Sequence, residues 1–212
     1  MCIWAIIPVK PLNRAKSRLA DVLEPDQRRF LAETMLRHVL ETVRAVPQVM
    51  GTLVISRDTK VLSIAREYEA RTVQESGAPE LNTALLRATK VVASWGCNAT
   101  LVLPADLPLI APEDVMNIVN LGRSVMSVVI STDQSEDGTN ALYMRPPGLI
   151  PYAFGPGSYS RHLQLAREAG AEVNIYRSDR LSLDIDLPVD LDNYNHLVRG
   201  LDYEVRDFLI SG

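Results

Sequence analysis

Short apolar runs alternate with longer amphipathic segments through the first 121 residues of this 212-residue chain. The first run, Ile3 to Val9, has the length and composition of a buried strand. Helical spacing of apolar residues predicts helices at 26–46, 59–69, 81–95 and 112–121. Further strands are predicted at 51–56, 71–74 and 100–103. An alternation of strands and helices predicts an α/β fold with a mostly parallel sheet covered by helices on both faces.

The pattern changes after residue 121. Strands are predicted at 124–131 and 141–144, and the polar loop between them is typical of a strand pair at one end of the sheet. A tight turn then leads into a helix at 159–169. Strands at 172–176 and 181–185 follow, and Pro188 opens a last helix. No linker or internal repeat interrupts this order, so we expect a single domain over residues 1–212.

A strongly basic segment follows the first strand. Lys10, Arg14, Lys16 and Arg18 occur with no acidic residue before Asp21. Open α/β sheets bind ligands at the carboxyl ends of their strands, and Lys and Arg side chains suit phosphate oxygens. The segment contains no glycine, and the chain has neither of the two common glycine-rich phosphate motifs. The segment is interpreted either as a phosphate site made of side chains or as a solvated surface turn.

Two acidic elements could hold a cation. Asp106 directly follows a buried strand, and Asp184 and Asp186 lie two apart in LSLDIDLPVDL, on one face of a predicted strand. Like charges so placed repel unless a cation or water separates them. Mg²⁺ is typically bound by one or two carboxylates together with substrate phosphates. The alternatives are a turn or cap role for Asp106, and a solvent-facing edge strand for the other pair.

Three polar segments have both a binding and a purely structural interpretation. The turn from Gly155 to Ser158 precedes a helix and suits an anion cradle or an N-cap. The segment from Gly138 to Asn140 could donate hydrogen bonds to a ligand or form a hairpin turn. Asn82 could contact a base or ribose, or cap a helix. The three histidines have no paired carboxylate or cysteine nearby and are interpreted as helix surface or packing residues: His38, His162 and His196.

Composition excludes several classes of protein. A net charge of −4 argues against a general nucleic-acid binder. Cys2 and Cys97 are too few for a disulfide framework or a thiolate metal site, which favours a reducing compartment. The sequence contains no apolar stretch of eighteen residues and no signal-peptide pattern, so we expect a cytoplasmic protein without a membrane span.

Taken together, these segments resemble the CofC family, the guanylyltransferases of coenzyme F420 biosynthesis, within the wider MobA-like nucleotidyltransferase group. The resemblance spans nearly the whole chain. The segments that carry it are PVKPLNRAKSRL at 8–19, LNTAL at 81–85, LPADLPL at 103–109, DGTNAL at 137–142, FGPGSYSRH at 154–162 and DIDLPVDL at 184–191.

The resemblance implies a Rossmann-like nucleotidyltransferase domain that transfers GMP from GTP to the phosphate of phosphoenolpyruvate or 2-phospho-L-lactate. It also suggests a homodimer. Asp106 and Asp184 would hold Mg²⁺ with Asp186 close by, and Asp106, Asp184 and Lys16 would be the catalytic groups. The GTP phosphates would meet Lys10, Lys16 and Arg18, and Asn82 is assigned to the nucleotide side. The phosphorylated acid would be bound by Thr139, Gly155 and Ser158.

One departure from the wider group concerns the basic segment. Many MobA-like proteins open with a glycine-rich loop, whereas this chain has Pro11 and Asn13 in a glycine-free one. The departure favours the CofC branch over sugar-nucleotide or molybdopterin enzymes. The alternatives are a nucleotidyltransferase with another acceptor, such as 3-phosphoglycerate or a sugar phosphate, and a non-catalytic nucleotide-binding regulatory domain. Sequence leaves open which acid is the acceptor and whether one or two metal ions bind.

Overall fold

The computed structural model describes residues 2–76 and 80–200, with side chains up to residue 194. Seven strands form one sheet in the order β3-β2-β1-β4-β6-β5-β7. The strands are β1 (Ile3–Val9), β2 (Val49–Ser56), β3 (Arg71–Gln74), β4 (Ala99–Val102), β5 (Ser127–Thr132), β6 (Thr139–Arg145) and β7 (Glu172–Ile175). The helices are α1 (Pro25–Arg44), α2 (Thr59–Glu67), α3 (Leu81–Ser94), α4 (Pro112–Leu121), α5 (Ser158–Glu168), α6 (Asp179–Ser182) and α7 (Pro188–Gly200). Within this part of the chain, no helix is long and apolar enough to cross a membrane.

The sheet is mostly parallel, as the alternation of elements predicts. β1 pairs in parallel with both β2 and β4, and β6 runs antiparallel between β4 and β5. The strand pair expected after residue 121 is therefore confirmed as β5 and β6, although β7 lies beyond β5 as the last strand of the sheet. Because β6 runs against its neighbours, it begins at the edge where β1 and β4 end. We call this edge the carboxyl edge of the sheet.

Helices cover both faces of the sheet, and the period-2 alternation of the strands separates two apolar cores. In β1, Ile3, Ala5 and Ile7 pack with α1, α2 and α4 on one face, whereas Ile6 packs with α3 and α5 on the other. The strand has helices on both sides, which is why it reads as a continuous apolar run rather than an alternating one.

A third, smaller apolar cluster lies beside the carboxyl edge. It joins the basic segment after β1, the helix α1, the turn after β4, and the C-terminal part that comprises α7 and the residues just before it. Its buried members are Leu19, Leu31, Met35, Leu109, Leu183, Ile185 and Tyr194. We call it the edge cluster. It fixes four separate parts of the chain against one another at the edge where ligands are expected.

The strand predicted at 181–185 is wrong. Residues Asp179–Ser182 form the short helix α6, and residues 183–186 have no regular secondary structure and join no strand of the sheet. The alternation of Leu183 and Ile185 with aspartates imitates a strand, but these two side chains are buried in the edge cluster instead. Asp184 and Asp186 are half-buried on the other side of the segment. The expectation that they share one face therefore survives, although the element that carries it does not.

A buried carboxylate holds α6 in place. Asp114, in the first turn of α4, is fully buried and accepts hydrogen bonds from Tyr176 Oη at 2.9 Å and Ser178 Oγ at 2.7 Å. Arg180 Nε donates to the same carboxylate at 2.8 Å, and the backbone N–H of Ala111 at 3.0 Å. Burial alone would raise the pKa of Asp114, but these hydrogen bonds lower it overall. The carboxylate thus joins α4 to the chain that leads into the acidic segment.

Replacing Asp114 by Ala should lower the free energy of unfolding by about 2–3 kcal/mol, because it leaves Arg180 and two hydroxyls without their buried partner. Urea denaturation measures the loss. Glu113→Ala is the matched control, since Glu113 is exposed in the same helical turn and should change stability by less than about 0.5 kcal/mol. Equal losses in both variants would contradict the assignment.

The same variant carries a pH signature. The pKa of Asp114 is lowered in the folded state, so its stabilisation is present above the pKa of the unfolded chain, about 3.9, and is lost as the pH falls through the folded pKa. The difference in free energy of unfolding between wild type and Asp114→Ala, measured by urea denaturation, should therefore become smaller as the pH falls below about 4.

Candidate active site

The basic segment after β1 is held by apolar anchors rather than by glycines. It forms two short 3₁₀ turns, Leu12–Arg14 and Ser17–Leu19, whose leucines are buried. The backbone N–H of Leu12 donates to Asp58 Oδ2 at 2.9 Å, which ties the segment to the end of β2. Lys10, Arg14 and Arg18 are exposed. The fixed backbone thus presents a group of cations to solvent at the carboxyl edge.

Lys16 points the other way, into the protein. Its side chain is 5% exposed, and its Nζ lies 2.6 Å from Asp106 Oδ2 and 3.0 Å from Asp186 Oδ1. Burial acts to lower the pKa of Lys16, but the two carboxylates raise it overall, so the ammonium stays charged. The backbone of Lys16 is left-handed, with φ of 54°. Such a conformation costs a non-glycine residue about 1 kcal/mol and persists where the surroundings fix it.

The acidic segment brings a third carboxylate to the same place. Burial, followed by the negative charge of Asp106, raises the pKa of Asp184 to about 6. Asn140 Nδ2 donates to Asp184 Oδ1 at 3.3 Å and to the carbonyl of Leu181 at 2.9 Å, which orients the carboxylate. For Asp186, burial would raise the pKa, but Lys16 lowers it overall. The negative charge at this site therefore exceeds what Lys16 neutralises.

The carboxylates fit a cation that arrives with its own ligands. Among the described residues, no group of three acidic, histidine or cysteine side chains is already arranged around a metal position. Lys16 instead lies between Asp106 and Asp186. Burial, and after it the negative charge of Asp106, raises the pKa of Asp184. Mg²⁺ usually needs only one or two carboxylates, with waters and substrate phosphates completing its shell, and this pair meets that need.

A second polar group lies at the start of β6. Thr139 Oγ1 is 3.0 Å from His162 Nδ1 and 3.2 Å from Ser158 Oγ, and all three residues are buried. Asn140, the next residue in β6, faces the acidic segment instead, because successive side chains of a strand point to opposite faces. Adjacent residues of one strand thus join the hydroxyl group to the carboxylates.

The turn from Phe154 to Ser158 is tied down mainly through its backbone. The N–H groups of Gly157 and Tyr159 donate to Asp137, and that of Ser158 donates to the carbonyl of Gly155. The predicted anion cradle of helix-start N–H groups is therefore wrong for these three, since each already has an acceptor. Ser158 does not cap α5 either, because Gly157 occupies the N-cap and no side chain caps it. Gly155, with φ of 124°, adopts a backbone conformation that favours glycine.

Asn82 connects α3 to this turn. Its Oδ1 accepts from the backbone N–H of Phe154 at 2.8 Å, and its Nδ2 donates to the carbonyl of the same residue at 3.3 Å. Glu80, rather than Asn82, caps the helix by accepting from the N–H groups of Asn82 and Thr83. The capping interpretation of Asn82 is therefore wrong, and its contact with a nucleotide stays a prediction.

The structure gathers most of the predicted site residues into two neighbouring groups. Lys16, Asp106, Asp184 and Asp186 form the charged group. Thr139 and Ser158 form the second group with His162, and Gly155 lies in the turn beside it. Lys10 and Arg18 lie on the exposed side, where Arg18 Nη1 is 3.7 Å from Asp186 Oδ2.

Sequence reasoning missed two residues of this site. Asn140 is predicted to donate to a ligand or to form a hairpin turn, whereas the structure shows that it orients Asp184. His162 is predicted to be a surface or packing residue; it is buried, and its ring also forms a hydrogen bond with Thr139. Its spacing held a usable signal, because residues four apart on a helix share a face and Ser158 lies four residues before His162.

Comparison with protein families and curated relatives agrees with this geometry. The family model described as guanylyl transferase CofC like matches residues 1–211. The phosphoenolpyruvate guanylyltransferase of Rubrobacter xylanophilus is 41% identical over 191 residues, which cover 90% of this chain and 92% of the relative. The 2-phospho-L-lactate guanylyltransferase of Methanocaldococcus vulcanius is 32% identical over 207 residues, which cover 97% and 89%.

Solved structures share the fold. A putative nucleotide-diphospho-sugar transferase from Desulfovibrio desulfuricans superposes with a TM-score of 0.78 at 15% identity, covering 98% of this chain and 93% of that one. A nucleotidyl transferase from Methanothermobacter gives a TM-score of 0.66 at 19% identity, with coverages of 94% and 99%. The expected Rossmann-like nucleotidyltransferase fold is thereby confirmed. The family model spans nearly every residue of the chain, and the alignments with the curated relatives cover most of both sequences. The chain therefore belongs to the CofC-like family of guanylyl transferases, which are nucleotidyltransferases.

Proposed function

We propose that this protein transfers GMP from GTP to the phosphate of a small three-carbon acid, phosphoenolpyruvate or 2-phospho-L-lactate, and releases pyrophosphate. The reaction would serve coenzyme F420 biosynthesis. The observation that carries the proposal is the convergence of the basic segment, Asp106 and the acidic segment on one buried ammonium, Lys16. Curated relatives named for guanylyl transfer to each of these acids support the substrate class.

The triphosphate would lie along the basic segment. Lys10, Arg14 and Arg18 are exposed cations on a backbone that Leu12 and Asp58 hold in place. Electrostatic binding by side chains replaces the backbone N–H groups that a glycine-rich loop would supply. Arg18 already lies near Asp186, and Lys16 lies between the carboxylates. The segment would therefore neutralise phosphate charge, with Lys16 available beside the carboxylates.

Mg²⁺ would be held by Asp106 and Asp184, with Asp186 beside them. When bound, it would supply positive charge to the α-phosphate and the leaving pyrophosphate, whether as one ion or two. The protein's own contribution is to keep Asp184 oriented through Asn140 and to balance Asp186 with Lys16. These contacts orient Asp184 and Asp186 in the folded protein, which would reduce the reorganisation that nucleotide binding requires.

The reaction needs no general base. A phosphate dianion is already a nucleophile, so its oxygen attacks the α-phosphorus as the bond to pyrophosphate breaks. Catalysis then consists of orienting the acceptor and neutralising charge. Thr139, Gly155 and Ser158 would bind the acid on the neighbouring side of β6, one residue along the strand from the Asn140 that holds Asp184. The homodimer that the resemblance implies and the cytoplasmic location that the composition favours stay predictions.

The direct test is pyrophosphate release from GTP and Mg²⁺, with phosphoenolpyruvate and 2-phospho-L-lactate offered separately. Release with at least one acid is expected, and the acid that supports release is the acceptor. GTP binding without release for either acid would reject the proposed acceptors and favour a different phosphorylated acceptor or a regulatory role.

Asp106→Asn should reduce turnover by about 10³-fold or more, because it removes a charged ligand from the site where phosphate charge develops. The fold should stay intact, since Asp106 is 29% exposed and its main contact is with Lys16. Asp192→Asn is the matched control, because Asp192 is an exposed carboxylate of α7 and should keep full activity. Near-normal turnover in Asp106→Asn would reject the metal assignment.

Asp184 gives a pH-dependent prediction. Its folded pKa of about 6 lies above the unfolded value of about 3.9, so the folded protein binds this proton more tightly and loses stability as the pH rises from about 4 to 6. Asp184→Asn removes the ionisable group. Urea denaturation gives the free energy of unfolding of each protein. The value for Asp184→Asn minus that for wild type should be about 1–2 kcal/mol larger at pH 7 than at pH 4.5. A pH-independent difference would show that Asp184 is not in a negatively charged, desolvated position.

A further inference from the structure

His162 is a buried histidine beside the proposed acceptor subsite, and the transfer of GMP as proposed does not use it. It is 0% exposed and lies on α5, on the same helical face as Ser158. Its Nε2 is 3.0 Å from the backbone nitrogen of Ala153, and its Nδ1 is 3.0 Å from Thr139 Oγ1. Both ring nitrogens are therefore committed to defined partners.

The partner at Nε2 fixes the tautomer of the ring. A backbone N–H can only donate, so Nε2 must accept and carries no hydrogen. Burial and the nearby charge of Arg161 lower the pKa of His162 to about 4, so the ring is neutral near pH 7. In a neutral ring the hydrogen then lies on Nδ1. His162 consequently donates to Thr139 Oγ1 rather than accepting from it.

This tautomer determines whether the hydroxyl pair has a hydrogen to spare. The group of His162, Thr139 and Ser158 makes two internal contacts, Nδ1 to Thr139 Oγ1 and Thr139 Oγ1 to Ser158 Oγ. The Nδ1–H tautomer brings three hydrogens to these two contacts, so one hydroxyl hydrogen has no acceptor in the described part of the chain. The opposite tautomer would bring only two hydrogens, and both would be used internally.

We propose that His162 is a positioning residue that makes the Thr139–Ser158 hydroxyl pair donate its remaining hydrogen to an oxygen of the anionic acceptor acid. The inference rests on the proposed function, in which these two hydroxyls bind that acid. A hydroxyl that donates to an anionic oxygen forms a stronger hydrogen bond than a neutral pair does. Thr139 is 6% and Ser158 1% exposed, so water competes poorly for the spare hydrogen.

The tautomer can be measured without any turnover. In long-range ¹H–¹⁵N correlation spectra of the full chain near pH 7, His162 should show a protonated Nδ1 and an unprotonated Nε2. Adding the acid that supports pyrophosphate release, without GTP, should shift the Nδ1 resonance, because the hydrogen-bonded chain then ends on an anion. A protonated Nε2 in the free protein would overturn the proposal.

Three substitutions separate the orienting role from simple packing. His162→Leu removes both contacts and should raise KM for the acid about tenfold, with KM for GTP nearly unchanged. His162→Asn places an amide near the position of Nδ1, so it can still donate to Thr139 and should recover most of the affinity for the acid. His162→Gln places its amide near Nε2, where it can hold Ala153 but not orient Thr139, and should recover little. Rescue by Gln rather than Asn would show that His162 only supports the turn.

His38→Leu is the matched control, because His38 is another inward-facing histidine, bound to the carbonyl of Ile110. It should lower stability without changing KM for the acid. If neither acid supports pyrophosphate release in the wild type, the proposed function fails, and the ¹⁵N experiment still tests the inference with each acid. If neither acid shifts the Nδ1 resonance of His162, the inference fails as well.

Discussion

A buried ammonium between two carboxylates is the interaction on which the rest of the active site depends. Lys16 joins the segment after β1 to Asp106 after β4 and to Asp186 near the end of the described chain. Removing an ammonium and carboxylates from water costs several kcal/mol per ion, and only close pairing offsets that cost. The separations of 2.6 and 3.0 Å supply such pairing. The charges therefore fix three distant parts of the chain in one arrangement.

Apolar packing makes that arrangement possible. Leu19 ends the second turn of the basic segment, and Leu183 and Ile185 alternate with the acidic side chains. All three leucine and isoleucine side chains lie in the edge cluster. Asp114 fixes α6 just before this segment through its contacts with Ser178 and Arg180. The apolar packing of the edge cluster and the contacts of Asp114 thus offset the unfavourable free energy of holding several carboxylates close together. Burial and the negative charge of Asp106 raise the pKa of Asp184 to about 6, and the proposed binding of a cation would offset that charge.

The antiparallel strand β6 contributes to both polar groups of the site. Because β6 runs against β4, its first residues reach the edge where β1 and β4 end. Thr139 then serves the hydroxyl group and Asn140 the carboxylates, on opposite faces of one strand. This arrangement explains how an acceptor acid and a metal–nucleotide could be bound by separate groups and still meet. A strand parallel to its neighbours would have started at the opposite edge, far from the chemistry.

Sequence alone determined the layered α/β fold, because hydrophobic periodicity and the alternation of elements are local properties. It also identified Lys16, Asp106, Asp184 and Asp186, because clustered charges beside buried strands are visible in the chain, and the resemblance to a known family gave them roles. Tertiary structure decided what local patterns could not. The residues after α6 alternate like a strand, but they join no strand of the sheet, and Leu183 and Ile185 are buried in the edge cluster. The partners of Asn140 and His162 lie 44 and 23 residues away along the chain, and only folding brings them together. The tautomer of His162 likewise follows from a backbone N–H that no spacing in the sequence reveals.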